Sequence, residues 1–369
     1  MKKLLLATAV AALSVSAANA APTVYGKAFL ALDYVNADLD VQEMEGDRRR
    51  IENDEDSVQV NSHISRLGVK GSEAATANTD IVYQLEYSID IDGDRDTLNA
   101  RDTYLGLAND QYGQVRFGRN YSVTDYVLND VAVNKGYWDN LGASSLNGGN
   151  VAEALTLTDG SRVNNSIIWF APKYNDLPLD LTLQYGADET FSDNGDSGFG
   201  AALNYNAGTG ISGGVAYDKD MSIDGDILRG VVSVDMSNIV NLPLTTSVLY
   251  QEADYDGRST EDGLVVSAKM GLDNFARPAS AYIQYNKTEN LSGFDNNDSD
   301  QLVIGGQYAI LNNLNAHLYA GYNSADLDNN TFFVRDAVAA DNTDDEFVAV
   351  RGKGDADVVV VGAGLEYFF

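Results

Sequence analysis

Along most of this 369-residue chain, apolar and polar residues alternate one by one. Val24, Ala28, Leu30, Leu32 and Tyr34 fall on one side of such a run, with Thr23, Lys27 and Asp33 on the other. The rhythm returns at Ile81, Tyr83, Leu85, Tyr87 and Ile89 against Asp80, Gln84, Glu86 and Ser88, and at Leu244, Val248 and Tyr250 against Thr245, Ser247 and Gln251. Further examples are Leu314, Ala316, Leu318, Ala320 and Tyr322 against Asn315, His317, Tyr319 and Asn323, and Val359, Val361, Ala363, Leu365, Tyr367 and Phe369 against Gly362, Gly364 and Glu366. A period of two sets one face of a strand on a dry surface and the other in water. A soluble sandwich alternates in the same way, so the class has to be decided by other features.

Length and spacing decide it. Sixteen segments read as strands: 22–35, 57–71, 79–91, 98–109, 113–120, 162–173, 179–189, 198–207, 210–218, 227–236, 243–256, 263–272, 278–288, 299–309, 314–323 and 355–369. Many reach ten residues, against the five or six usual in soluble sheets. Ten residues at about 3.4 Å each, tilted by about 45°, cover the ~25 Å apolar band of an outer-membrane barrel. Tight turns at Asp110–Tyr112, Asn175–Pro178, Gly208-Thr209 and Ile310–Asn313 alternate with acidic loops at 36–56, 121–161, 289–298 and 324–354. Short turns at one end and long loops at the other characterise a transmembrane antiparallel β-barrel, whose closed sheet leaves no backbone unpaired in lipid. Sixteen strands place both termini at the short-turn end.

Composition narrows the function. With no cysteine there is no disulfide framework, zinc cluster or thiol nucleophile. Lys+Arg 24 against Asp+Glu 55 gives a net charge of -31, which argues against nucleic acid as a partner. So acidic a chain could be disordered, but 44% hydrophobic residues with 21 Tyr and 12 Phe bury too much surface for that. Residues 1–20 read as a signal peptide: Met1-Lys2-Lys3 is basic, Leu4 to Val15 apolar, and Ala18-Asn19-Ala20 a small-residue cleavage site. Residues 21–369 then form one barrel domain, since no later run approaches the ~20 apolar residues of a spanning helix.

One stretch breaks the rhythm. From Tyr121 to Ser161, glycines and acidic residues mix with apolar ones without sustained alternation, and the strand pattern resumes at Arg162. Structureless inserts of this length are functional or disordered. Here the insert is expected to fold into the barrel and narrow its wet lumen.

Three blocks resemble the general diffusion porins of Gram-negative outer membranes. Arg66-Leu67-Gly68-Val69-Lys70-Gly71-Ser72-Glu73 is similar to that family's second strand. Arg101 to Asn120, with Gly106-Leu107, Tyr112-Gly113 and Phe117-Gly118-Arg119-Asn120-Tyr121, resembles its fourth and fifth strands. Arg162-Val163-Asn164-Asn165-Ser166, followed by Trp169 and Pro172, resembles the strand after its third loop, and Val24-Tyr25-Gly26-Lys27 and the terminal Phe369 fit as well. The resemblance implies a homotrimer, one pore per subunit, and a third loop bent inward to form a constriction. It implies basic wall residues Arg66, Arg101, Arg162, Lys27 and Lys70 facing loop carboxylates Asp125, Asp130, Asp139 and Glu153. Tyr367 and Phe369 would be the terminal signal read by the barrel-assembly machinery, with lipid and lipopolysaccharide as the surroundings. The chain departs from the enterobacterial branch in lacking Pro-Glu-Phe-Gly-Gly in this loop; it has only Leu146-Asn147-Gly148-Gly149.

These expectations describe an outer-membrane channel for passive diffusion of small hydrophilic solutes and ions, with cations preferred because of the negative charge. The alternative is a porin selective for an oligosaccharide or a specific ion, with Tyr121, Tyr126, Tyr137 and Trp138 as stacking surfaces. No cofactor is expected, though the acidic loops could bridge to lipopolysaccharide through divalent cations; none has an EF-hand spacing. An enzyme has little support: the two histidines, His63 and His317, stand far apart, and no Gly-x-Ser-x-Gly elbow is present. Strand phase is open between 57 and 71, where Val58, Val60 and Ile64 share parity with Arg66 and Lys70. Either a bulge near Ser62–Ser65 re-aims the side chains, or a subunit interface admits His63 and Asn61 on the outer face.

Overall fold

A computed structural model describes residues 21–44, 49–93, 98–127, 131–138, 155–160, 162–175, 177–187, 197–335 and 347–369. The strands are β1 (Thr23–Glu43), β2 (Arg50–Ser62), β3 (Arg66–Thr76), β4 (Thr79–Ser88), β5 (Asn99–Asn109), β6 (Gly113–Tyr121), β7 (Arg162–Phe170), β8 (Leu179–Gly186) and β9 (Gly198–Asn206). They continue as β10 (Ile211–Lys219), β11 (Gly225–Asp235), β12 (Leu244–Tyr255), β13 (Thr260–Gly271), β14 (Ala279–Glu289), β15 (Asp298–Leu311), β16 (Leu314–Arg335) and β17 (Phe347–Phe368). Successive strands from β3 to β17 pair antiparallel, and β17 returns to β1, closing the sheet. The seventeen segments occupy sixteen positions, because β2 and β3 follow one another along the same edge of β1. The expected signal peptide lies outside the described residues.

The division between β2 and β3 resolves the phase of the second strand in favour of the bulge. Leu30 pairs with Ser62, but Lys27 pairs with Arg66, so one residue too many lies between them. Ile64 absorbs it at φ 42. The Ser65 hydroxyl accepts from Phe29 N at 2.9 Å, and His63 N donates to Phe29 O, so the β1 backbone stays satisfied across the break. An added residue flips parity. Val58 and Val60 therefore share the outer face with Leu67 and Val69, and Arg66 and Gly68 turn inward beside Lys27.

β1, β16 and β17 run to 21, 22 and 22 residues, well past the ten that cross the membrane. Much of 36–56 and 324–354, expected as loops, is therefore strand. Alternation persists there: Ala37, Leu39 and Val41 are buried while Asp38 and Asp40 face out. Density of acidic residues conceals the apolar half of the pattern. Leu39, Val41, Ile51, Leu327, Phe332 and Val350 line the inner face of this extension and pack against Leu155 and Leu291.

An outer boundary is written into the sheet as a repeat. Tyr185, Tyr217, Tyr250, Tyr285 and Tyr322, on alternate strands, point out and donate to Ser197, just before the next strand, and to Asp226, Asp262, Asp300 and Asp357 on the next strand. Each acceptor lies two residues from the residue paired with its tyrosine. Below the tyrosines the outer face is aliphatic; above them it is charged, as an aromatic girdle at a lipid–water boundary requires.

Candidate functional site

The insert leaves β6 at Tyr121 and turns into a short 3-10 helix, Val123–Tyr126, started by Ser122, whose hydroxyl accepts from Thr124 N. It then crosses the inside of the sheet. Gln184 Nε2 holds Tyr121 O at 3.0 Å, Asn204 Nδ2 holds Tyr126 O at 2.6 Å, and Ser122 donates to Asp218. Further on, Gln284 accepts from Val133 N at 2.9 Å and Tyr282 donates to Asn134 at 3.0 Å. On the return, Asn323 bonds both the N and the O of Leu155, Glu261 accepts from Thr158 N at 2.6 Å, and Gln251 donates to Thr158 O. Polar wall residues from β8 to β16 thus satisfy the backbone of a segment that, among its described residues beyond Tyr121, has no strand of its own.

Apolar packing complements this belt. Val123, Val127, Val131 and Leu157 bury against Ala202, Ala216, Val231, Leu249 and Val265. Val133 and Trp138 bury against Phe29, Tyr282, Val303 and Tyr319. The two legs meet where a Cβ on Gly160 would stand 1.9 Å from Thr124 Oγ1, an approach open only to glycine. The described parts of the third loop therefore lie inside the barrel, seated on one arc of its wall.

The other arc carries the arginines. Arg66 on β3, Arg101 on β5, Arg116 on β6 and Arg162 on β7 all belong to the sector the loop leaves. Arg101 Nε stands 2.8 Å from Glu86, which Arg66 approaches at 3.9 Å and to which the Tyr25 hydroxyl donates at 2.9 Å. Arg162 Nε stands 2.7 Å from Asp102 and lays its guanidinium 3.9 Å from the Tyr121 ring centre, while Arg101 donates to the Tyr121 hydroxyl. Arg116 sits between Tyr104 and Phe170, 4.4 and 4.5 Å from their ring centres, and Phe170 packs on Tyr126. A bulge in β5 makes this possible: Arg101 and Asp102 both stand opposite Glu86, so neighbours in sequence both reach the inside.

The three predicted arginines thus converge, but among the described residues their acidic partners are wall residues, Glu86 and Asp102. Asp125 lies at the neck of the loop with Asp159, within electrostatic reach of Arg229 and also of Arg162 and Asp102. Withdrawal from water, reinforced by the Asp159 carboxylate, pushes it well above the usual carboxylate range. Asp130, Asp139 and Glu153 lie outside the described residues. Lys27 is buried and reaches Glu366 at 3.1 Å, and Lys70 is exposed above the Tyr25 ring. Tyr367 and Phe369 stack at the C-terminal, short-turn end of β17, and Phe369 exchanges two backbone hydrogen bonds with Gly26. His317 meets Glu366 at 3.1 Å and packs on Phe29. Among the described residues no group of three or more His, Asp or Glu is arranged to hold a metal ion.

Glu86 and Asp102 escaped the sequence reading, although Ala-Arg-Asp-Thr at 100–103 interrupts the alternation and so hints at the bulge. Nothing local marks Arg229, Gln251, Glu261 or Gln284 as loop partners.

A family model for Gram-negative porins matches residues 7–331. The chain belongs to the Gram-negative porin family. This porin is similar in structure to the anion-selective porin from Comamonas acidovorans, with 16% identity and a TM-score of 0.64 over 95% of this chain and 100% of that one. It is also similar to OmpT of Vibrio cholerae (14% identity, TM-score 0.58, 96% and 99% covered) and to Salmonella typhi OmpF in complex with daunomycin (17%, 0.54, 94% and 97%). At these identities the likeness shows the sixteen-position barrel. A search of curated proteins found no match. Family and fold together make this an outer-membrane channel protein.

Proposed function

We propose that this porin conducts small hydrophilic solutes and ions by passive diffusion, with cations preferred, through a homotrimer exported with a cleaved signal peptide. The observation that carries the reading is the seating of the third loop inside the sheet, on the arc opposite the arginines. What remains for passage is a sector lined by Arg66, Arg101, Arg162, Glu86 and Asp102, where charges of both signs sit side by side. In such a slot a polar solute exchanges ordered water for fixed charges, whereas an apolar one only loses water.

The cation preference is supported by the net charge of -31 and by Asp38, Asp40, Asp355 and Asp357 on the outer face of the extended strands. Such a mouth concentrates cations before they reach the arginines. The general reading is favoured over the oligosaccharide one because the candidate stacking rings are engaged. Trp138 is buried, Tyr126 packs on Phe170, and Tyr121 lies under Arg162. Tyr367 and Phe369, at the end of the strand that closes the sheet, are the proposed assembly signal, and divalent cations bridging the acidic rim to lipopolysaccharide complete the proposed surroundings.

Purified protein in a planar bilayer tests the reading. It predicts discrete conductance steps, a reversal potential of cation-preferring sign in a salt gradient, and no block by oligosaccharides. Absence of steps from a folded oligomer would defeat the channel; anion-preferring reversal would defeat the selectivity. On SDS gels the unheated protein should migrate as an oligomer that falls on heating to a monomer somewhat below 39.7 kDa, the mass of the chain before residues 1–20 are removed.

A further inference from the structure

Arg229 is fully buried at the base of the loop, at 0% exposure, and none of the motifs explains it. It stands on β11 and points inward, four strands along the wall from Arg162 on β7. Each of its three nitrogens donates. Nε donates to Gln251 on β12 at 2.8 Å, Nη1 to Thr124 O on the outgoing leg at 3.3 Å, and Nη2 to Asp159 on the returning leg at 2.6 Å. Gln251 completes the set by donating to Thr158 O. One guanidinium therefore joins wall, outgoing leg and returning leg, which are separated by some thirty-five residues of chain.

We propose that Arg229 is the positioning residue of the constriction: it clips the two ends of the third loop together and to the wall, and so sets how far the loop reaches into the lumen. This rests on the reading that solutes pass beside that loop. Three features argue that the clip does more than fill space. A buried cation needs its partners, and a planar guanidinium spreads its donors over three nitrogens, so it reaches three separated acceptors that one ammonium nitrogen could not span. The partners include two backbone carbonyls directly or through Gln251, so what is held is the path of the chain rather than a side chain. The clip also gathers charge: Asp125 and Asp159 lie beside Arg229 at the neck, and Asp125 feels Arg162 and Asp102 of the arginine arc. Moving the neck therefore moves two carboxylates relative to the aperture.

The test uses whole protein in planar bilayers, with Arg229→Gln, Arg229→Lys and Asp159→Asn beside the parent. Arg229→Gln should release the loop, giving a larger and noisier open-channel current and a shifted reversal potential. Asp159→Asn, which frees only the returning leg, should move conductance the same way by less. Arg229→Lys, which keeps the charge but gathers its donors on one nitrogen, should restore the reversal potential more fully than the current noise. Heat-shift gels establish that each variant forms the barrel, so a folding defect in Arg229→Gln leaves Asp159→Asn to decide. If folded Arg229→Gln and Asp159→Asn both keep the parent's conductance, noise and reversal potential, the assignment is wrong. A parent that gives no steps at all defeats instead the channel reading beneath it.

Discussion

Gly136 offers a direct way to move the loop tip by a known amount. A Cβ added there would stand 1.9 Å from Tyr319 Cε1 and 2.1 Å from Cζ, 1.5 Å short of the 3.4 Å at which ordinary contact begins. Tyr319 has little room to yield. It is 3% exposed, its hydroxyl donates to Asp33 and lies 3.3 Å from His63 Nε2, and its far edge faces Gly362 and β17. The loop has to give instead, and away from Tyr319 means toward the lumen. Gly136→Ala should therefore push the tip inward by about an ångström and a half at a cost of about 1–3 kcal/mol, the usual toll of overpacking. Single-channel conductance should fall, and Gly136→Val should lower it further. Heat-shift gels show whether the barrel has formed. A folded Gly136→Val with the parent's conductance would mean that the tip does not rest on Tyr319, and the packing argument would fail with it.

Other substitutions probe separate joints. Trp138→Ala removes a buried ring from the same seat, with a loss of about 3–5 kcal/mol of packing; it should raise open-channel noise while leaving the barrel heat-stable. Glu86→Gln removes the carboxylate shared by Arg101, Arg66 and Tyr25. Each charge-assisted hydrogen bond lost costs about 1.5–3 kcal/mol, and reversal potentials should move toward anions; an unchanged potential would place this cluster away from the conducting path. Ser65→Ala leaves Phe29 N without its acceptor at the β2–β3 break, so about 1–3 kcal/mol of stability should disappear. Its oligomer should dissociate at a lower temperature while conductance holds.

What could be read from the chain follows from how local each cause is. Outward Leu30, Leu32, Val361 and Leu365 declare a strand by period alone, and 121–161 declares itself by lacking one. Arg66, Arg101 and Arg162 were found because motif residues surround them. Bulges were harder: Ile64 and the Arg101–Asp102 pair each add one residue that changes parity, and only pairing registers place such a residue. The length of β1 and β17 was hidden because Asp38, Asp40, Asp355 and Asp357 imitate a solvated loop while keeping strand alternation. Arg229, Gln284 and Asn323 were illegible as loop anchors, since each meets residues about a hundred or more positions away or on the far side of the sequence.

The seating of the third loop can be tested covalently, because the chain has no native cysteine. Leu155 on the loop and Asn323 on β16 are tied by two hydrogen bonds, 3.2 and 3.0 Å long. In the folded double variant Leu155→Cys/Asn323→Cys, a short bis-thiol reagent should join the two thiols within one chain, and the cross-linked protein should still conduct at the parent's level. Two thiols that label independently and never cross-link would put the loop outside the lumen and contradict the account.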